Sequence, residues 1–432
     1  MRLAQITPLW LCIVALVTAC ASEPEGNRQA DSTPRASLAQ NKSRQPGGFW
    51  RKSQESTQSP QADEESDSEA AKLSSLGYLN GYRPANSESG VLVRVSEKMA
   101  PGVTLFSSGH EPVAILLSAD GKQLHSWSGS FQEYFPDAPL ANGTLTRGMQ
   151  YWRYVRMLPN GDLLAIFEGE ALVKLDAESR LIWGKLNRAH HDLELQPNGD
   201  ILTLSRSARR EGKRTVIVDE LLWLNSNGEE LKKLSILDAL LASPYRDSMV
   251  GKAKLRGDVL HTNSIQTLRG PPGSFPPGVK QGDILLSMRN IKALAILNPE
   301  SGKIVWTHRG PYYRQHYARV LGDGRLILFD NGKKRSRVMF YHWPAMTVES
   351  TIETLPGNHP LNSPALGLAR ILPNGNTLIV ESYNGRLYEL TPARELVWEY
   401  ATPFRAGDRN ELIAVLAHAR RYPPEYAPRF AQ

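Results

Sequence analysis

One hairpin pattern is written four times along the chain: "RMLPNGDLLAIF" from Arg156, "ELQPNGDILTLS" from Glu194, "RVLGDGRLILFD" from Arg319 and "RILPNGNTLIVE" from Arg370. Each reads as a strand, a tight turn whose Gly supplies positive φ, and a returning strand. A fifth copy, "TNSIQTL…KQGDILLSM", has the same ends with a Pro/Gly-rich insertion, "RGPPGSFPPGV", in its turn. A second hairpin follows most of them: "LVKLDAESRLIWGK", "LLWLNSNGEELKKL", "LAILNPESGKIVWTH" and "LYELTPARELVWEY", with Trp183, Trp306 and Trp398 recurring in the outgoing strand. The early "AILLSADGKQLHSWSG" fits the same unit. Two hairpins make a four-stranded antiparallel sheet.

The turn glycines Gly161, Gly199, Gly282, Gly324 and Gly375 are spaced 38, 83, 42 and 51 apart. Units of roughly 40 to 50 residues that are self-contained antiparallel sheets signal a β-propeller, and the tight turns argue against a solenoid. The span from Val103 to Leu416 is long enough for six blades of that size. The expected fold is therefore all-β: a six-bladed propeller of four-stranded antiparallel blades around a central channel, within residues 76–432. The double interval signals an enlarged blade or one whose first hairpin is disguised, and "LSILDALLASPY" inside it reads as an inserted helix.

Counting back eight residues from each turn glycine finds His316, His191, Arg153 and Gly367, and aligning "HTNSIQTL" on "HDLELQP" puts His261 in register with His191. Three of the ten histidines thus share one repeat position. The first strand of a propeller blade lines the channel, so these positions converge at one mouth. Counting seven residues forward from the glycine finds Arg206 and Arg289 at the exit of the returning strand, which in an antiparallel hairpin lies beside the entrance. The predicted ring is His191, His261, His316, Arg153, Arg289 and Arg206, with Asn263, Tyr317 and Asn331 close by. His190 adjoins His191 but takes the opposite face by strand alternation. His110, His125, His308, His342 and His359 lack the register.

Three imidazoles suit zinc or copper, but several arginines aimed at the same spot would repel a dication, so no metal is expected. A guanidinium fork matches an oxyanion instead. Neighbouring cations also keep an imidazole unprotonated and nucleophilic near neutral pH. An anion beside a nucleophilic imidazole means group transfer. Tyr312, Tyr313 and Tyr317 are candidates for stacking on an aryl ring or for packing between blades.

The first twenty residues, "MRLAQITPLWLCIVALVTAC", carry Arg2, an apolar run too short to span a membrane, and small residues before Cys20. Residues 1–19 read as a signal peptide, and "VTAC" resembles a bacterial lipobox in which Cys20 is lipidated. Ala21 in place of an Asp favours the outer membrane, so the expected location is the cell envelope, facing the periplasm, with membrane attachment through Cys20. An ordinary signal peptide with an unmodified Cys is the competing reading. The second cysteine, Cys12, lies within the signal, so no disulfide is expected. Residues 20–75 are rich in Ser, Gln, Pro and mixed charge and read as a flexible tether. The formal net charge of +7 invites nucleic acid as a partner. An exported protein has little access to it, and "SARREGKR" at 207 to 214 reads as a solvated loop, so no nucleic-acid partner is expected.

The ordered set "HHDLELQPNGDIL", "HTNSI", "LLSMRN", "GKIVW", "QHYARVLGDGRLILFDNG" and "ESYNGRLYELTPARELVWEY" resembles the bacterial arylsulfotransferase family from about Gly102 to Glu399. That resemblance implies a propeller that moves a sulfuryl group from an aryl sulfate donor to a phenolic acceptor, without a nucleotide and without a cofactor. It implies His316 as the nucleophile forming a transient sulfohistidine, His261 and one of His190 and His191 as supporting imidazoles, and Arg289 as the anion clamp. The arginine motif reads "SMR", where the family usually has an "SSR"-like one. From another class, a non-catalytic propeller lipoprotein serving as an envelope scaffold shares the blade motifs, as do quinone-dependent dehydrogenases. A scaffold gives no reason for imidazoles in phase at a channel mouth.

Overall fold

Strands covered on both faces read as near-continuous apolar runs, and Val113–Leu117, Leu163–Phe167 and Ile284–Met288, broken only by Ser287, are among those buried at every residue. Each must therefore sit between two neighbouring sheets. In the computed structural model, which describes residues 81–140, 143–251, 255–426 and 430, six antiparallel sheets of four or five strands meet this demand. Every described residue belongs to one compact unit, Ser59–Gln432. The expected signal peptide, Cys20 and the expected tether lie outside the described residues, and among the described residues no helix is long and apolar enough to cross a membrane.

Sheet II runs in chain order Trp152–Met157, Leu163–Phe167, Ala171–Leu175, Leu181–Lys185. Sheet III is His190–Leu195, Ile201–Glu211, Arg214–Leu224, Glu230–Ser235; sheet IV is Thr262–Thr267, Ile284–Met288, Ala293–Asn298, Lys303–Arg309. Sheet V is His316–Val320, Arg325–Asp330, Arg337–His342, Thr347–Ile352; sheet VI is Leu368–Ile371, Thr377–Glu381, Arg386–Leu390, Leu396–Ala401. Sheet I breaks the order, because its three strands Val103–Ser108, Val113–Leu117 and Gln123–Ser128 are completed on the inside by the C-terminal strand Leu416–Tyr422. The uniform four-strand expectation needs correcting twice: sheet III gains Gly257–Asp258, paired in parallel with Val216 and Ile217, and sheet VI gains Gly90–Arg94 at its outer edge.

The innermost strands of successive sheets touch, from sheet II through to sheet VI, and the strand Leu416–Tyr422 contacts sheets VI and II. Six apolar clusters fill the gaps between neighbours: Trp127 with Val155, Ile166 with Leu222, Leu204 with Leu286, Leu294 with Leu328, Phe329 with Ile379, and Val380 with Phe106. A closed cycle of radial antiparallel sheets is a β-propeller.

The double glycine interval is one enlarged sheet. The expected helix is there as Ile236–Leu241, capped by the Ser235 side chain, which accepts from Asp238 N at 3.0 Å. It packs Leu237 and Leu240 on Val216 and Val218. "SARREGKR" is not a loop: it is the tip of a hairpin whose two strands are 11 residues each, extended past the sheet with only the end exposed.

The innermost strands of sheets II to V each break register near their start, between Trp152 and Tyr154, His190 and Leu193, Thr262 and Ser264, and His316 and Arg319. In sheet VI the corresponding Gly367 has φ 87°, and a Cβ there would stand 2.4 Å from the Phe329 ring. Gly199 has the same φ of 87° with open space around it. Gly199→Ala should therefore cost only the left-handed backbone strain, roughly 1–2 kcal/mol. Gly367→Ala adds a clash against a fully buried ring and should cost clearly more in equilibrium urea unfolding. Equal costs would show that the Phe329 contact does not constrain the position.

Candidate active site

A bulge places an extra residue on one strand and re-aims its side chain, and four such bulges at one level of a closed ring re-aim four sets of side chains at the axis. Three residues in or beside them sit in the left-handed region, His191 at φ 57°, His261 at 49° and Tyr317 at 53°. This backbone is strained for a side-chain-bearing residue and persists only where the surroundings over-determine it.

His316 is 2% exposed, and its Nδ1 lies 2.7 Å from Asn331 Oδ1 and 2.9 Å from Arg314 O. The Asn331 amide donates to Ser363 O at 2.6 Å and to Leu366 O at 2.8 Å, so its oxygen is left to accept. His316 Nδ1 must therefore carry the proton, and Nε2 keeps its lone pair. That Nε2 is buried without a hydrogen-bond partner among the described residues. Burial holds the His316 pKa well below the ordinary value, with Arg289 and Arg153 adding to the depression.

His191 and His261 are anchored through the same ring atom. His191 Nδ1 lies 2.9 Å from Glu168 Oε1 and 2.9 Å from His190 Nδ1, and His190 Nε2 points to Ser205 O at 3.1 Å. His261 Nδ1 makes a very short contact with Asp258 Oδ2, and its backbone N–H donates to Asp258 Oδ1 at 3.0 Å. The His191 and His261 rings meet edge to face with centroids 4.9 Å apart. Burial, then Arg153 and His261, hold His191 well below its ordinary pKa. His261 is lowered by burial against the opposing pull of Asp258. Asp258 itself is lowered to about 2: burial pushes it up, and His261, with Arg206 and Arg289, together more than reverse this.

Arg289 follows Met288 at the strand exit, where its N–H donates to His261 O at 3.2 Å, so entrance and exit are adjacent as the antiparallel pairing requires. Its charge bears on both His316 and His261. Arg153 donates from Nη1 to Ala417 O at 2.9 Å, and its Nε lies 4.0 Å from Glu168. Arg206 Nη2 is 3.4 Å from both Glu168 Oε1 and His191 Nδ1. A small cavity is bounded by Arg153, Tyr154, His191, Asp192, Asn263, His316, Tyr317, Gly367, Leu368, Ala417 and His418.

A model of the arylsulfotransferase (ASST) family matches residues 154–403, more than half of the chain. This chain belongs to the arylsulfotransferase family. No curated protein matches it. Solved structures similar to it include a protein of unknown function from Bacteroides caccae, at 12% identity over 74% of this chain and 98% of that one with a TM-score of 0.48. A virginiamycin B lyase from Staphylococcus aureus follows at 11% identity, 62% and 83% coverage and a TM-score of 0.36. The WD40 propeller domain of Doa1 matches at 10% identity, 78% and 88% coverage and a TM-score of 0.40.

In this member of the family the structure gathers His191, His316, Arg153, Asn263 and Tyr317 on one cavity, with His261 against His191 and Arg289 beside His261 and His316. His190 stands behind His191, and Asn331 stands behind His316. Both orient imidazoles rather than line the cavity. Asn263 donates to Gln315 O at 2.7 Å and leaves Oδ1 without a partner among the described residues. The Tyr317 ring is already covered by Arg319 and Arg370, at 3.9 and 4.4 Å. Tyr312 packs in the core between sheets IV and V, and Tyr313 lies under Lys292, Arg314 and Lys333 at 5.5 to 5.8 Å.

Three members were missed. Glu168 is itself seven residues after a turn glycine, at the position that gave Arg206 and Arg289, so the same count finds it. Asp258 lies in the insertion, outside any repeat. His418 is on the innermost strand of sheet I, which pairs with Val103–Ser108 and not with a strand that follows it, so no turn glycine marks it. Its Nε2 receives Arg370 at 3.1 Å, so Nδ1 carries a proton that has no partner among the described residues.

One nitrogen each from His190 and His191 and an oxygen of Glu168 lie within 4.8 Å of one another, a spacing a metal ion could use. The charges there argue otherwise. The carboxylate already faces Arg206 and Arg153, and the two Nδ1 atoms are close enough to share one proton. The set is a hydrogen-bonded chain from Glu168 through His191 and His190 to Ser205 O.

Replacing Asn331 by Asp exchanges a neutral acceptor for a charged one, which favours the imidazolium and must raise the His316 pKa. In spectra of histidine-labelled protein at about pH 6, wild-type His316 should appear as the neutral Nδ1–H tautomer, and Asn331→Asp should shift it toward the doubly protonated form. A charged His316 in the wild type would contradict the tautomer assignment.

Proposed function

We propose that the six sheets are six blades of one propeller, and that the protein transfers a sulfuryl group from an aryl sulfate ester to a phenol through a sulfohistidine at His316. The observation that carries the reading is the buried Nε2 lone pair of His316, held toward a cavity that also receives the Arg153 and Arg289 charges. His316 Nε2 attacks sulfur, the S–O bond to the aryl group breaks, and its electron pair departs on the phenolate oxygen. Transfer of this kind spreads charge over the peripheral oxygens, which guanidinium groups and imidazole N–H groups stabilise.

His261 is the base. Its Nδ1 is held by the ionised Asp258, so Nε2 offers a lone pair and the cation formed when it accepts a proton is supported from behind. The first product leaves as the phenolate anion; His261 Nε2 then takes the proton of the incoming phenol, whose oxygen attacks sulfur and returns the N–S electron pair to His316, and the imidazolium releases that proton to solvent. Arg289 and Arg153, with His191 set by Glu168, hold the ester. A lipid anchor at Cys20 would place this chemistry in the envelope, facing the periplasm.

Purified protein incubated with nitrophenyl sulfate should release nitrophenol in proportion to turnover only when a phenol is present, and without one should accumulate protein heavier by one sulfuryl group. His316→Asn should lower turnover by at least about a thousandfold, the scale on which loss of a catalytic nucleophile reads, and show no mass increase. Equal turnover in the variant removes His316 from the reaction.

The pH profile gives a second check. A depressed His316 pKa keeps the lone pair available well below pH 6.5, so the acid limb of kcat/KM should lie below the usual histidine range. Arg289→Gln removes a positive charge that opposes protonation and should move that limb to higher pH while raising KM for the donor. A limb that stays in place in Arg289→Gln would show that Arg289 does not act on the nucleophile.

A further inference from the structure

The repeated hairpin carries a second in-phase position that the histidine ring does not use. Five residues before the turn glycines at 161, 324 and 375 stand Arg156, Arg319 and Arg370, and the same count from 199 gives Glu194. The three arginines lie toward the turn end of innermost strands in sheets II, V and VI. Ring closure therefore brings them together in the half of the axis away from the mouth of His191, His261 and Arg289.

Contacts across sheets bear this out. Arg319 and Arg370, from different sheets, lie over the same Tyr317 ring. Arg370 reaches on to His418 of sheet I, and the charges of Arg370, Arg153, Arg156 and Arg319 all bear on that imidazole. Negative charge is short. Asp192 pairs with Arg319 at 2.7 Å, and Arg153 faces Glu168. Glu194, the acid of this level, is turned to sheet IV, where it accepts from Thr267 N at 2.6 Å and meets Arg269 at 3.5 Å. Among the described residues no carboxylate pairs with Arg156 or Arg370, and the Nε of each is buried without a hydrogen-bond partner. All three guanidinium-bearing residues are partly exposed, so solvent and small ions reach them.

Half-buried cations gathered without matching carboxylates repel one another and lose hydration, and a bound anion relieves both costs. Planar forks from three directions suit a tetrahedral oxyanion. We propose that Arg156, Arg319 and Arg370 form a second anion site on the propeller axis, on the turn side of Tyr317, which takes a free tetrahedral oxyanion, sulfate or phosphate. The site is separate from the reacting centre, and the wall between them is Tyr317, the residue next to His316.

Calorimetric titration of the full chain with inorganic sulfate, and in a second arm inorganic phosphate, at low ionic strength tests this without any turnover. Arg289→Gln weakens the reaction site and should still bind one oxyanion per chain. Adding Arg156→Gln and Arg370→Gln to it should abolish that binding, and Arg370→Gln alone should weaken it at least tenfold, while Arg370→Lys retains most of it. Without anion, the glutamine variants should still unfold in one cooperative transition, and this separates a lost site from a lost fold. Folded Arg289→Gln protein that binds neither ion overturns the site, as does unchanged binding after both other arginines are replaced. Failure of sulfuryl transfer at His316 would leave every one of these counts as it is.

Discussion

Ring closure is the constraint on which the rest of the molecule depends. Residues 416 to 422 pair antiparallel with residues 103 to 108, from Val103 opposite Tyr422 to Ser108 opposite Leu416. Joining segments about 300 residues apart costs on the order of 5 kcal/mol of chain entropy by the logarithmic loop law, which grows slowly with length. A full edge of backbone hydrogen bonds and the burial of Phe106 and Ala419 against sheet VI offset it. Without that strand, the clusters shared by sheets VI and I and by sheets I and II each lose a wall, and the innermost strands lose their common axis.

The axis matters because the site is built from backbone that no single sheet would hold. His191 and His261 stand at positive φ, and the innermost strands of four sheets break their ladder at the same height. Each departure costs of order 1–3 kcal/mol. The strands directly behind, buried at every position in several sheets, are the rigid support that maintains them. Strained residues sit at the mouth and regular pairing sits outside it, so the reacting groups are fixed without loosening the core.

How much of this was legible follows the same division. The hairpins, the inserted helix and the shared height of His191, His261 and His316 could be read because turn glycines at fixed phase mark where each innermost strand begins. The bulges could not, since a register break leaves no residue signature: in ladder terms His190, opposite Leu204, matches His316, opposite Phe329. His191 nevertheless reaches the cavity because the bulge turns it there. His418 was invisible for a topological reason, as its strand pairs with residues 103 to 108, about 300 residues earlier, and so belongs to no local hairpin. Gly367 was found by the count but has meaning only in three dimensions, where Phe329 fills the space a side chain would need.

Three chemically identical rings are told apart by the atom behind each. Glu168 and Asp258 are carboxylates, and each supports positive charge on the imidazole it holds. Asn331 is neutral, and both its amide hydrogens are committed to carbonyl oxygens, so it holds His316 in one tautomer while doing little for the cation. Burial and the nearby guanidinium groups then act on His316 with nothing to oppose them beyond one hydrogen bond. The difference between proton carrier and nucleophile is therefore set one layer behind the rings. Under the proposed chemistry, exchanging the partners of His261 and His316 would exchange their roles before it changed anything a substrate could touch.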